Sequence, residues 1–413
     1  MQAHHASKDC HDSSTAAANP VRVLHYFAFP GGGIGRYVHE LLSQMANQPG
    51  VEIELACIPS YHYRQSAKYP VWPGLREITH HVPWRRRLRF AINLVVNPLR
   101  AIRRARRTGA QIIHLSTIPH VTFGLWSRAL RRSGLKLVAT AHDVRRSHGL
   151  IWHSYEVKQL KRLYRSCEAI FVHSEYQRQD LTHFAGVPAS RVVVVPHGPY
   201  YHGPPTASKE ELRRRYGVPL DKQVALFFGD IRADKNLDLF LQAMTPYKDR
   251  LFLVVAGRIK GPKAYPLEYY QRIAAQNGIT EVVRCDIRVI PDDEGADLGT
   301  LADWVALPYG RSFTSQSGVL NVAVAYRRPV LASGCGTFRE TVSAYEVGII
   351  VPPDDVAELS AGIRTMMARY EQPWDFDGYS KAMSWFQNAA RTAKVYTTVA
   401  SSAGAATEQV SHA

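Results

Sequence analysis

The sequence is short of acid: 35 Asp and Glu stand against 51 Lys and Arg over 413 residues, a formal charge of +16. That deficit implies an anionic partner, whether a phosphorylated small molecule, an acidic membrane surface or nucleic acid. Cysteine is scarce as well. Cys10, Cys57, Cys167, Cys285 and Cys335 show neither Cys-x-x-Cys nor metal-ligand spacing, which excludes a disulfide framework and fits a reducing compartment. No apolar run approaches the ~18 residues of a membrane span. Residues 1–19 lack the apolar centre of a signal peptide and read as a disordered cytoplasmic tail. The Gly-x-Gly-x-x-Gly fingerprint is missing too, because Gly31, Gly33 and Gly35 are followed by Arg36, Tyr37 and Val38, and this counts against a nicotinamide enzyme.

What is present is an alternation of apolar strands and helical patterns at about twice the length of a typical domain, so two domains are expected. Val21–Phe27 reads as a strand, Gly31 to Gly35 as a glycine turn, and Arg36–Met45 as a helix. Glycines there let backbone amides approach an anion at a helix N-terminus; a tight turn that merely needs glycine is the other reading. Strands are expected at Val51–Cys57, Gln111–Ser116, Leu135–Asp143, Ala169–His173 and Arg191–Pro196, then again at Val224–Phe228, Phe252–Gly257, Glu281–Cys285, Trp304–Pro308 and Arg327–Ser333. Strands recurring between helices mean parallel sheets covered on both faces, an α/β class with two Rossmann-like domains facing across a crevice. Pro199–Pro205 is the natural linker. The expected division is a tail over 1–19, a first domain over 20–200, a second over 201–378, a terminal helix over 379–400 packing back on the first domain, and a tail over 401–413. The terminal segment Phe376–Val399 reads as one long helix.

The stretch from Val224 to Asn236 organises the rest. An apolar strand stops at Gly229, Arg232 and Lys235 follow, and Asn236 is placed to cap a helix patterned by Leu237, Phe240, Leu241 and Met244. Ligands in open α/β sheets sit beyond the carboxyl ends of strands. An arginine fork and a mobile lysine there can grip a diphosphate from two sides, although two solvated charges on a surface turn would look the same. Ser315, Ser317 and Gly318, entering the helical pattern Val319–Tyr326, make a second anion cradle facing them. His142-Asp143 closes a strand at the same kind of edge and suits contact with a substrate hydroxyl.

The most basic region holds Arg85, Arg86, Arg87, Arg89, Arg100, Arg103, Arg104, Arg106 and Arg107, interleaved with Trp84, Leu88, Phe90, Ile92 and Leu94. Such a pattern suits an interfacial helix on anionic headgroups, and Arg85, Arg86, Arg87, Arg89, Arg103 and Arg104 are the expected membrane-facing set. A calmodulin-like partner, RNA or plain solvation would use the same surface, but no nucleic-acid module accompanies it, so no nucleic-acid partner is expected. Pro98 points to two helices rather than one.

Several motifs occur in a telling order: Gly32-Gly33-x-Gly35-x-Tyr37, Thr140-Ala-His-Asp143, Val195-Pro-His-Gly198, Gly229-x-x-Arg232-x-x-Lys235-Asn236, Ala302-Asp303, Arg328-Pro329-Val330 and Gly336-x-x-x-Glu340. Together they resemble retaining GT-B glycosyltransferases, family 4-like, over roughly residues 21–400. The resemblance implies a nucleotide diphosphate sugar as donor substrate, no metal and no cofactor. It implies that Arg232, Lys235, Gly32, Gly33, Ser317, Gly318 and Val319 hold the donor diphosphate. His142 would contact the transferred sugar and act with Arg232 and Lys235 in catalysis, and Thr314, Gln316 and Glu340 would lie near the sugar or ribose. One departure stands out. The family's paired glutamates would fall on Thr314 and Val322, so neither carboxylate is present; Ser317-Gly318-Val319-Leu320 is similar to a divergent branch that includes exopolysaccharide-assembling enzymes. The expected activity is hexosyl transfer to a lipid-linked saccharide acceptor in cell-surface polysaccharide biosynthesis, by a peripheral enzyme on the cytoplasmic face of the membrane. A nucleotide-sugar epimerase of the same fold and a catalytically silent scaffold are the alternatives.

Overall fold

The computed structural model describes residues 19–77, 82–145, 152–261 and 264–402. Residues 1–18 and 403–413, which make up nearly all of the two expected tails, lie outside the described residues, as does Cys10. The other four cysteines are unpaired.

Seven parallel strands form the first sheet: β1 (Val21–Phe27), β2 (Val51–Cys57), β3 (Val71–Trp72), β4 (Ile112–Leu115), β5 (Lys136–Thr140), β6 (Ala169–Val172) and β7 (Val192–Val194). Their order is β3-β2-β1-β4-β5-β6-β7. Six more form the second: β8 (Gln223–Phe228), β9 (Leu251–Ala256), β10 (Val283–Asp286), β11 (Trp304–Leu307), β12 (Val330–Ser333) and β13 (Gly348–Val351), ordered β10-β9-β8-β11-β12-β13. β4 and β9 are buried along their whole length; β9 reads as an unbroken apolar run, and β4 is interrupted only by His114. Sequence pattern misses only β3, two residues long, and β13.

Each sheet grows outward from its first strand in both directions, so each has one point where the order reverses: between β1 and β4, and between β8 and β11. Tyr26 lies beside Leu115 at the first, Leu226 beside Val305 at the second. Helices leaving the two strands at such a point turn to opposite faces and open a crevice at the carboxyl ends.

Three differences from the expected elements have local causes. Pro98 does not divide its region: Pro83–Arg107 is one helix of 25 residues. The proline removes the amide that would reach the Leu94 carbonyl, and Thr122 Oγ1 donates to that carbonyl instead at 2.6 Å, so the helix continues with its acceptor satisfied. The terminal segment is two helices, Phe376–Ala382 and Trp385–Ser401, because Ser384 starts a new one by accepting from the Gln387 amide at 3.2 Å. Asn236 does not cap the helix Leu237–Met244 with its side chain. It sits in the left-handed region at φ 50° and its Nδ2 donates to Asp354 Oδ1 at 2.8 Å.

The second sheet and its helices enclose their own core. The first sheet has a core on each face, and one of these is completed from the second half and the terminal helix by Ala296, Val322, Tyr326, Trp385, Ala389 and Tyr396. Tyr396 reaches into the sheet, where its hydroxyl lies 3.0 Å from His25 Nε2 and also bonds His114 Nδ1. Among the described residues no helix is long and apolar enough to cross a membrane.

Candidate active site

The reversal point of the second sheet gathers the cations. β8 ends at Phe228, and Gly229 takes φ +90°, which turns the chain away from the sheet. A side chain there would strain the backbone and meet Val319 Cγ2 at 3.2 Å, so the β8 turn and the helix Gly318–Ala325 touch. Arg232 and Lys235 flank a single turn, Ala233–Lys235. Lys235 is 6% exposed, and its amine forms no hydrogen bond or ion pair among the described residues; it faces the Tyr309 ring at 5.0 Å. Burial, then the Arg232 guanidinium beside it, brings its pKa down to about 8. Arg232 is half-buried, with Nε 3.1 Å from Asp234 Oδ1 and its guanidinium over Phe313.

The helix Gly318–Ala325 presents its first amides at the same place. The Ser317 hydroxyl accepts from the Leu320 amide at 3.3 Å and so caps the helix, which leaves its O–H proton to donate. The amides of Gly318 and Val319 have no partner within the helix, and with the helix dipole they favour an anion. Thr314 packs against Gly336, whose left-handed φ of +49° brings it under the Phe313–Thr314 backbone. Gln316 Oε1 is buried without a partner among the described residues. Val322 is buried in the core shared with the first sheet, where a carboxylate would be stranded.

The first sheet contributes histidines. His25, His114, His142, His173 and His197 come from β1, β4 and the ends of β5, β6 and β7. His142 Nδ1 lies 3.2 Å from His173 Nε2, its ring stands edge-on to Tyr37, and its Nε2 is sealed from solvent with no partner among the described residues. His197 lies 2.7 Å from Asn321 Nδ2 and 3.2 Å from the Tyr200 hydroxyl. Burial brings His25 to about 3 and His173 to about 4 and holds His114, His142 and His197 well below the ordinary range, so all five are neutral near pH 7.

Tyr200 connects the two sets. Its hydroxyl donates to the Gly33 carbonyl at 3.4 Å, and its ring lies 3.4 Å from where a Gly318 side chain would begin. Gly32 and Gly33 fall inside the first turn of the helix Gly32–Met45 rather than before it; side chains at either would enter open space, and Gly32, at φ +78°, requires glycine. Further contacts cross between the halves. Ser315 Oγ bonds Asp143 Oδ1, and Arg36 bonds Asp292 at 2.8 Å and the Tyr201 carbonyl at 2.8 Å. Glu340, expected near sugar or ribose, accepts instead from the amides of Glu175 and Tyr176 at 3.0 and 2.7 Å, binding the first turn of the helix Glu175–Ala185. Tyr200, His173, His197, Asn321 and Gln177, whose amide donates to the His142 carbonyl at 3.0 Å, are absent from the sequence-based site. Only Val195-Pro-His-Gly198 pointed toward any of them.

On the basic helix, Arg85, Arg86, Arg87, Arg89 and Arg103 are exposed. Arg104 is not membrane-facing as expected: it pairs with both Glu54 oxygens, at 2.5 and 3.0 Å, and covers Trp72.

Residues 31–199 match the family model described as Glycosyltransferase Family 4, and residues 222–369 the one described as Glycosyl transferases group 1. Among curated proteins the chain is similar to the D-inositol 3-phosphate glycosyltransferase of Corynebacterium glutamicum, 26% identical over 251 residues, 57% of this chain and 58% of that one. It is similar also to that of Streptosporangium roseum, 26% identical over 287 residues, 65% of each. The chain thus spans less than two thirds of these relatives. Among solved structures it resembles a glycosyltransferase from Rickettsia africae, with TM-score 0.71, 15% identity, and 92% of this chain and 99% of that one covered. Anabaena HepE in complex with UDP and glucose gives TM-score 0.67 and 14% identity, covering 94% and 100%.

Proposed function

Since the chain belongs to the family 4-like glycosyltransferases of GT-B fold, we propose that it transfers a hexosyl group from a nucleotide diphosphate sugar to a lipid-linked saccharide, on the cytoplasmic face of a membrane and in the assembly of cell-surface polysaccharide. One observation carries this reading: the buried Lys235, whose amine makes no hydrogen bond or ion pair among the described residues, lies beside an arginine and the first amides of the helix Gly318–Ala325. A buried cation left unpaired is unfavourable until an anion arrives. Two phosphates of a nucleoside diphosphate supply that anion, and HepE, which shares the fold, is solved with UDP and UDP-glucose.

Charge grows on the β-phosphate as the bond from the sugar's anomeric carbon to the phosphate oxygen breaks. Lys235, Arg232 and the two amides stabilise that charge in a cleft poor in water. Gly32 and Gly33 admit the diphosphate closely from the other domain. The orphaned Nε2 of His142 and Oε1 of Gln316 are available to sugar or ribose hydroxyls. The acceptor hydroxyl bonds to the anomeric carbon on the face the phosphate leaves, its proton passing to the departing phosphate, and configuration is retained. No carboxylate at position 314 or 322 takes part.

Incubation with UDP-glucose and membrane lipid extract tests the proposal. UDP release that requires lipid supports transfer; conversion of the donor sugar without lipid indicates an epimerase, and no reaction with any donor of a nucleotide-sugar panel a silent scaffold. A soluble phosphorylated acceptor is the second reading, favoured by the names of the curated relatives and the basic first domain. UDP release with D-inositol 3-phosphate alone would favour it.

A further inference from the structure

We infer that a cavity of about 290 Å³ at the first sheet's reversal point holds the apolar chain of a phosphorylated lipid carrying the acceptor, an assignment that rests on the glycosyl-transfer reading above. The cavity lies where β1 and β4 end, the counterpart of the place where the second sheet gathers Arg232 and Lys235. Its apolar lining comes from Tyr26, Phe29, Phe90, Leu94, Ile118 and Val121.

Of the polar side chains that line it, His120 places Nδ1 3.2 Å from the Ile118 carbonyl, and Asn93, Asn97 and Thr117 bond backbone groups. Asn93 Nδ2 donates to the Glu77 carbonyl at 2.9 Å; Asn97 Nδ2 donates to the Arg76 carbonyl at 3.0 Å while its Oδ1 accepts from the Arg76 amide at 2.8 Å. Thr117 Oγ1 accepts from the Ala28 amide at 3.3 Å. A saccharide would find few free partners for its hydroxyls in this cavity, and a buried unpaired hydroxyl is costly. Water would be held poorly for the same reason. An alkyl or prenyl chain needs none of these bonds and gains from leaving water.

Charge identifies the other end of the molecule. Residues 78–142 contain no Asp or Glu. The helix Pro83–Arg107, which lines the cavity through Phe90 and Leu94, exposes Arg85, Arg86 and Arg87 around a stripe of Trp84, Leu88 and Ile92 at four-residue spacing, 61%, 52% and 43% exposed. That surface suits an anionic bilayer on the outside while the inner face of the same helix shelters one chain. Phe29, 41% exposed and three residues before Gly32, stands between the cavity and the glycine turn. A lipid seated there places its phosphate among arginines and its sugar toward the donor cleft.

The test titrates the full chain with butyl, octyl and dodecyl phosphate below their micelle concentrations, with inorganic phosphate as the headgroup control. Affinity is expected to rise about fourfold for each added methylene until the cavity is full. Val121→Trp fills the cavity and should abolish the chain-length gain while binding UDP as wild type does. Trp84→Ala, on the outer stripe, should keep the gain. Affinity independent of chain length in the wild type overturns the assignment, as does a gain that survives Val121→Trp but disappears in Trp84→Ala. Failure of the wild type to bind UDP strikes the glycosyl-transfer reading instead, and leaves the chain-length series to decide the cavity on its own.

Discussion

The two reversal points share a topology and differ in chemistry. At the second sheet the chain buries a cation, Lys235, whose amine makes no hydrogen bond or ion pair among the described residues; at the first it buries five neutral histidines and surrounds a cavity with largely apolar side chains. The sheet decides where a ligand can sit, because helices diverge at the point of reversal, but the few residues after each strand decide what kind. A buried cation whose amine makes no hydrogen bond or ion pair among the described residues suits an anionic ligand. The histidines make the opposite choice: most of their ring nitrogens bond one another, Tyr396, Thr140 or Asn321, and burial removes their charge.

The sharpest way to break this contrast is to remove the cation. Lys235→Ala should weaken UDP binding roughly tenfold or more and lower turnover further, by about a hundredfold, since charge on the leaving diphosphate peaks in the transition state. Arg232→Lys should fall between wild type and Arg232→Ala, because it keeps charge and loses the fork. Calorimetry with UDP beside turnover measures both; unchanged binding and rate in Lys235→Ala and Arg232→Ala would make the turn an ordinary surface feature.

His142→Ala probes the neutral side. Turnover should drop about tenfold to a hundredfold with UDP affinity unchanged, since the proposed function assigns the residue to the sugar rather than the phosphates. Loss of nucleotide binding along with turnover would assign it to the phosphate site or to structure.

pH separates the two sites by sign. The buried histidines have folded pKa values below the ordinary ~6.5, so the unfolded chain binds more protons as pH drops through that value, and stability present at neutral pH is lost on acidification. Each contributes up to about 1.4 kcal/mol per pH unit, and thermal melts from pH 7.5 to 5 should show a steepening fall. UDP affinity should instead be flat below pH 8 and decline above it as Lys235, at about 8, gives up its proton. A flat melting temperature across the acid range, or UDP binding that strengthens above pH 8, would contradict these assignments.

The smallest effect concerns the basic helix. Leu88→Ser should reduce sedimentation with phosphatidylglycerol vesicles severalfold, and salt should weaken wild-type binding, each arginine near the surface contributing about 1 kcal/mol. Equal binding to phosphatidylcholine vesicles at low salt would exclude the electrostatic component.

Much of this was legible in the chain. Mostly buried strands are rich in apolar and β-branched residues, so β1, β2 and β8 emerge within a residue of their ends. Arg232 and Lys235 follow a strand-ending glycine, a local signal. The histidine array was not legible, because only His142 and His197 carry a local cue and the five become neighbours through a strand order that differs from chain order. The unbroken helix across Pro98 was hidden for a similar reason: its freed carbonyl is satisfied by Thr122, from a separate element.

Sequence alone therefore determined the class of fold, two Rossmann-like halves, and the pair of cations at the end of β8, because hydrophobic periodicity and strand-end glycines act over a few residues. Tertiary structure alone decided that the Lys235 amine makes no hydrogen bond or ion pair among the described residues, that Ser317 caps its own helix, that Glu340 binds helix amides of the other half, and that an apolar cavity lies beneath the basic helix. Burial, pairing and cavity volume are sums over residues far apart in the chain, and they have values only once the sheets have placed those residues side by side.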